Sequence, residues 1–341
     1  MKEETVEEGR AYEALQAGEP EEALTLAERL LARNSRSARA HHVRGLALAE
    51  LERVPAALAA LEKACKLGGA PWEAHLDLVE VLLYGAGEPE AALATCRAAL
   101  AAKPAERTLK TGLLHLQGEA LLELGLAAQA LEAYESARRL GPDSDDTEGR
   151  AAALFELCRF KEAIGALRLA LRHRPGVGAD GIFTLAVALE RTGEADAAHR
   201  HFLTAARKDP EHHAVPRHMP PEDFEALVAE AVEELPEKVS TALQEVQVVV
   251  EAWPDPEDLC LTDPPLSPMI FGMFRGHSLR DRSHGDPWSL LPPQIVVYQR
   301  NLELQCTSRE EMVEEIRITV WHEVGHFLGL DEEDLDDRGL S

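Results

Sequence analysis

Histidine, glutamate and histidine stand at positions 322, 323 and 326 of this chain, in the run His322-Glu323-Val324-Gly325-His326. Two histidines four residues apart lie one above the other on a helix, so both imidazoles can be aimed at one ion such as zinc. Glu323, next to the first of them, is then placed to polarise a water on that ion as a general base. Five consecutive positions thus supply two ligands and a base for hydrolytic chemistry.

The residues around this run must hold it in place. Upstream, Met312, Val313, Ile316, Val320 and Phe327 approximate one apolar face of a helix. Gly329 follows His326 by three, where a backbone tolerant of positive φ ends the helix and turns the chain back. Asp331 and Glu332 come directly after that turn and offer carboxylates as a third ligand. Nine residues follow Glu332, which leaves room for neither a second helix with a distant glutamate nor a Met-turn. The third ligand is therefore expected after the turn or upstream, where His277 and His284 are the nearby imidazoles. Glu332, six residues after His326, matches the spacing of the extended HExxHxxGxxH pattern and ranks first, with Asp331 second. Glu333, Asp334, Asp336 and Asp337 read as a solvated tail.

Ahead of the motif, the pattern predicts a helix from about 221 to 235 and a shorter one from 237 to 243. Strands are expected at 246–251, 269–275 and 295–299, where β-branched and aromatic residues concentrate. With Phe224 to Pro236, Phe271 to Gly276, Leu279 to Ser283 and the motif itself, these segments resemble the small bacterial zincin-like metallopeptidase family over about Pro221 to Gly339. The resemblance implies a small α+β domain in which His322 and His326 hold Zn2+ and Glu323 is the catalytic base. Where members commonly carry aspartate this chain has Glu332. A strand beside the motif helix would pair with an extended substrate, and the segments around Phe271 and Val296 are the two candidates.

The first two thirds of the chain repeat. Small residues recur at Ala23, Ala57, Ala92, Ala130, Ala163 and Ala198, in steps of 34, 35, 38, 33 and 35. A period of this length marks stacked helix-turn-helix units. A second small residue falls seven later at Ala64, Ala99, Ala137, Ala170 and Ala205, and another opens the first helices at Ala11, Gly45, Gly118, Ala151 and Ala186. The third unit has Glu80 there and departs from the pattern. Closing turns read Gly69, Pro104, Pro142, Pro175 and Pro210. These residues resemble about six tetratricopeptide repeats. Each helix pair has an apolar face that only a neighbouring pair can bury, so an all-α solenoid is expected. The resemblance implies a groove that binds a protein or peptide.

The expected organisation is therefore multidomain: a helical repeat domain over 1–210, a linker over 211–220 and a small α+β zincin-like domain over 221–341. The linker holds His212, His213 and His218 among Pro210, Pro216, Pro220 and Pro221, and the prolines argue for irregular chain. The net charge of −26 opposes phosphate, so nucleic acid is not an expected partner. From Pro221 onward 27 acids and 8 bases give −19, leaving −7 for the rest. No apolar run reaches the roughly 18 residues that a membrane span needs, and the amino-terminal residues have no apolar signal core, so a cytoplasmic protein is expected. Cys65, Cys96, Cys158, Cys260 and Cys306 show no metal-binding spacing and read as reduced thiols. Two functions fit: a zinc metallopeptidase whose repeats recruit a protein substrate, or a non-catalytic interaction scaffold whose metal domain is structural.

Overall fold

The computed structural model describes residues 2–67, 71–141, 146–173, 176–237, 241, 243–244, 246–262, 264–276 and 293–330. The chain forms two compact units, Met1–Leu154 and Phe155–Ser341.

In the first unit the helices come in pairs: α1 (Lys2–Gln16) with α2 (Pro20–Arg33), α3 (Ala38–Glu50) with α4 (Val54–Lys66), α5 (Glu73–Glu80) with α6 (Pro89–Ala101), and α7 (Arg107–Glu123) with α8 (Ala127–Leu140), followed by α9 (Thr147–Glu156). Each helix from α1 to α8 packs on the next, the stacking expected of a repeat array. The recurrent small residues explain how closely they approach. Ala23, Ala57, Ala92 and Ala130 have no exposed surface. A Cβ on Gly45 would lie 2.5 Å from Leu61, and one on Gly118 would lie 2.6 Å from the Tyr134 ring. A Cβ on Gly149 would likewise lie 2.5 Å from the Tyr134 ring. Tyr134 is thus a buried wedge seated between two glycines. The third pair departs from the regular geometry as well as from the sequence pattern: a π-helical turn, Val81–Gly85, continues α5 beyond Glu80.

Within each repeat the turn is built the same way. A residue in the left-handed region stands five positions before the repeat alanine, at Gly18, Glu52, Gly87, Gly125, Cys158 and Gly193, with φ between 56° and 87°. Glycine supplies this conformation at four of the six without steric cost.

The second unit begins with α10 (Phe160–His173), α11 (Ala179–Arg191) and α12 (Ala195–Lys208), followed by a non-helical stretch to 220. Then come α13 (Pro221–Glu233), β1 (Gln247–Glu251), the one-turn α14 (Pro256–Leu259), β2 (Gly272–Arg275), β3 (Gln294–Tyr298), α15 (Gln299–Gln305) and α16 (Arg309–Leu328). The expected helix at 237–243 falls largely on residues outside the described ones. The three strands form one sheet in the order β1-β3-β2, with β1 parallel and β2 antiparallel to β3. Ile295 and Val297 point to the face covered by α13 and α16, where they join Phe224, Leu227, Val228, Ile316, Val320, Val324 and Phe327 in one core. An all-α repeat array followed by a small α+β domain is thus the architecture.

The compact division does not follow the composition boundary at 211–220. Arg191, the last residue of α11, donates from its guanidinium to the carbonyls of Pro268 and Pro254, each at 3.0 Å. The same group lies over the rings of Phe160 and Trp253, at 4.7 and 4.8 Å. Burial lowers its pKa to about 10. Buried guanidinium is costly unless every donor finds a partner, so these contacts fix α11 against the segment that follows β1.

Candidate metal centre

α16 carries the motif and is well specified at both ends. At its start Ser308 Oγ accepts from the Glu311 amide at 3.1 Å, and the Glu311 carboxylate takes the Thr307 amide at 2.7 Å. Reciprocal capping of this kind satisfies donors that the first turn leaves open. At its end Gly329 adopts φ 82°, its amide donating to the His326 carbonyl at 2.9 Å, and the Leu330 amide donates to the Gly325 carbonyl at 3.0 Å. That pair of bonds is the Schellman closure, which glycine at the turn makes possible. The expected stop at Gly329 is the observed one.

Met312, Ile316, Val320 and Phe327 are buried, as the apolar spacing requires, and Val313 is partly so. Thr319 and Glu323 also lie on the buried side, each with 7% of its surface exposed. On the adjoining face His322 and His326 bring their Nε2 atoms to 3.0 Å, with ring centroids 4.7 Å apart and planes at 78°. Two nitrogens of a tetrahedral zinc site, each about 2.0–2.1 Å from the metal, would be about 3.3 Å apart, so the observed separation suits a shared ion. The other nitrogen of His326, Nδ1, lies 3.3 Å from the Leu330 carbonyl. A carbonyl on Nδ1 directs the lone pair of the ring to Nε2, the nitrogen that faces His322. The turn at Gly329 therefore stops the helix and also places the oxygen that orients one of the rings.

β2 runs close against this helix. A Cβ on Gly272 would lie 2.5 Å from Thr319 Cγ2, 3.0 Å from the Val296 carbonyl oxygen and 3.4 Å from Glu323 Cγ. Glycine at 272 thus lets the strand backbone run against the helix at the level of Glu323. Of the two segments expected to pair with a substrate, Val296 is excluded, because β3 is the central strand with neighbours on both sides. The segment after Phe271 is β2, which like β1 is an edge of the sheet among the described residues.

His322, Glu323 and His326 are thus brought together. Asp331 and Glu332, the third-ligand candidates, lie outside the described residues, as do His277 and His284. Among the described residues no three His, Cys, Asp or Glu side chains converge as a complete metal cluster. A cavity of ≈ 360 Å³ occurs elsewhere in the second unit, between 214–217 and Glu303, Leu304, Cys306 and Thr307, and none of the motif residues lines it.

The histidines of the 211–220 tract do not gather around a common point; each faces a carboxylate. His212 Nδ1 lies 2.9 Å from Asp209, and His213 Nε2 lies 2.8 Å from Asp180. His218 bridges Glu190 of α11 and Glu303 of α15, at 3.1 and 2.8 Å. These two hydrogen bonds raise its pKa to about 9, against the opposing effect of burial. The Glu303 side chain is fully buried. Burial alone would raise its pKa, but bonds from His218, the Met219 amide and Gln299, with the charge of Arg300, hold it below the ordinary value. Sequence reading missed this cluster, because Glu303 stands among the polar residues of Gln299–Gln305 and nothing in that run marks it.

The comparisons with known proteins agree with the geometry. Residues 243–340 match a zincin-like metallopeptidase family, and residues 9–71 and 115–177 match a tetratricopeptide-repeat family. The N-terminal part of the chain therefore carries tetratricopeptide repeats, and its C-terminal part a zincin-like metallopeptidase domain. Among solved structures, the chain is similar to one from the functional characterisation of Pseudomonas aeruginosa pilF, at 18% identity over 65% of this chain and 96% of that one, with a TM-score of 0.53. It is also similar to PilW, a type IV pilus biogenesis factor, at 16% identity over 62% of this chain and 96% of that one, with a TM-score of 0.51. A third similar structure is the Cut9-Hcn1 assembly of APC/C, at 15% identity over 61% of this chain, which spans 40% of that one, with a TM-score of 0.52. At these identities the likeness concerns the repeat fold alone. No curated protein matches the chain.

Proposed function

We propose that this protein is a zinc-dependent peptidase whose repeats recruit a protein substrate. The observation that carries the reading is the convergence of the His322 and His326 Nε2 atoms at 3.0 Å beside the buried Glu323. The residues present suit zinc: two imidazoles with nitrogens aimed at one point, one of them with its second nitrogen on a backbone carbonyl. Bound there, zinc would supply Lewis acidity, polarising the scissile carbonyl and acidifying a water. His322 and His326 would hold it, with Glu332 or Asp331 as the third ligand. Glu323 would take the proton of the attacking water and deliver it to the leaving amine. The β2 edge, running past Glu323 at Gly272, would pair with an extended peptide and align its scissile bond with that carboxylate. The family match at 243–340 supports the peptidase half of this reading, and the repeat match supports the recruiting half.

The test is elemental analysis and peptide hydrolysis on the purified full chain and its variants. The parent should bind about one zinc per chain, and His322→Ala or His326→Ala should lose it. Glu332→Ala and Asp331→Ala, compared for metal content, identify the third ligand. Glu323→Gln should retain metal and lose hydrolysis. Cleavage unchanged in Glu323→Gln would overturn the mechanism, and zinc retained without any cleavage in the parent would favour the scaffold instead.

A further inference from the structure

The third repeat is where the first unit departs from its own pattern, and the departure brings particular chemistry to one face. Asp77 stands 35 residues after His42 and 38 before His115, the same steps that separate the repeat alanines. These three residues thus occupy equivalent positions on successive first helices. α5 and α7 pack side by side, so residues one and two turns further along them share one face. On that face the π-helical turn carries Tyr84, which is 64% exposed and is the one aromatic ring among the large hydrophobic side chains left exposed in the described residues. Glu80 and Glu123, both exposed, and Glu119 stand around it. The Tyr84 hydroxyl has its pKa raised to about 12, by burial first and then by Glu119, Glu80 and Glu123.

The face is held rigidly from below. Glu119 accepts from the Tyr134 hydroxyl at 2.6 Å, and Tyr134 is the wedge between Gly118 and Gly149. His115 is engaged by the buried Asp146 at 2.7 Å, and its Nε2 lies 4.0 Å from Glu119. Its shorter contact is with Asp146, so one shared imidazole stands against three glutamates and this face is net acidic. An exposed aromatic ring with carboxylates at its margin suits a guanidinium or ammonium group, which gains both ring-face attraction and ion pairing.

We propose that this face of α5 and α7 docks a lysine- or arginine-bearing segment of the protein partner, one cationic head lying on the Tyr84 ring between Glu80, Glu119 and Glu123. The inference rests on the recruiting half of the proposed function and names the chemistry of what is recruited.

The experiment is fluorescence anisotropy with a dye-labelled peptide of lysine, arginine and glycine, beside a counterpart with glutamate at every cationic position. Full-length protein bearing Glu323→Gln is used so that the probe is not consumed. The cationic peptide should bind and the acidic one should not, with affinity falling as salt is raised. Tyr84→Ala should weaken binding about three- to five-fold, and Glu80→Gln with Glu123→Gln about ten-fold. These side chains are exposed, so the unfolding midpoint should stay in place, and a circular dichroism melt checks this. Equal binding of both peptides, no binding of the cationic one, or unchanged affinity in the variants overturns the assignment. The readout is binding, so absence of hydrolysis in the parent protein would defeat the peptidase reading and leave this one standing.

Discussion

The first unit and the sheet-bearing part of the second rely mainly on different materials where their elements pack. In the first, alanines without exposed surface and glycines under ring faces let helices approach closely, and the largest side chain in the seam, Tyr134, is seated between two glycines. In the second, charge is buried at the seams. Glu303 has no exposed surface and takes bonds from His218, the Met219 amide, Gln299 and Arg300, while Arg191 spends its donors on two carbonyls. Arg275 of β2, only partly covered, bridges Glu251 of β1 and Asp258, both at 2.5 Å. A seam made of small residues is sensitive to volume, whereas one made of buried ions is sensitive to the loss of either partner.

The sharpest test of that contrast is Tyr134→Ala, which removes the wedge and leaves a cavity between Gly118 and Gly149. It should cost about 3–5 kcal/mol, read as loss of the first unit's unfolding transition in urea. Glu303→Ala comes next. It strands His218, Arg300 and Gln299, and should destabilise the second unit by about 3 kcal/mol, with the first unit's transition unmoved. If the two substitutions instead shift one common transition equally, the units are not separate in stability. Gly272→Ala should cost about 1–3 kcal/mol by overpacking, and it should depress hydrolysis more than stability, because the displaced strand is the one beside Glu323. The smallest effect is in pH. The folded pKa of His218 lies near 9, above its ordinary 6.5, so its contribution is full below about pH 6.5 and is lost as pH rises through about 9. His218→Gln should flatten the fall in melting temperature across that window and, because His218 also helps hold the Glu303 carboxyl below its ordinary value, should move acid unfolding to higher pH.

What the sequence disclosed follows from which interactions are local. Helical periodicity alone puts His322 above His326, and Gly329 alone permits the turn that ends α16, so both were readable without knowing what packs around them. The repeat alanines were readable because the same contact recurs six times. The role of Gly272 was not, since its close neighbours Thr319 and Val296 lie 47 and 24 residues further along. Nothing within the strand distinguishes a glycine under a helix from one at a bulge. The order of the strands was likewise hidden: the Val296 segment is apolar on both sides because it is central, and it therefore looked as suitable for pairing as the true edge. Glu303 read as an ordinary acid in a short helix, although its four partners make it the most enclosed carboxylate of the cluster.

The left-handed residue of each hairpin stands five positions before its alanine in all six repeats, although the repeats themselves differ in length by up to five residues, from 33 to 38. No gain or loss of length therefore falls in the reversal itself, and the longest step carries its extra residues in α7, which has 17 residues where α3 and α11 have 13. The longest step includes the non-helical stretch 103–106 between α6 and α7, which marks it as the natural splice point for a reporter tag or a tethered dye. A foreign segment entered there would leave each hairpin's reversal in register.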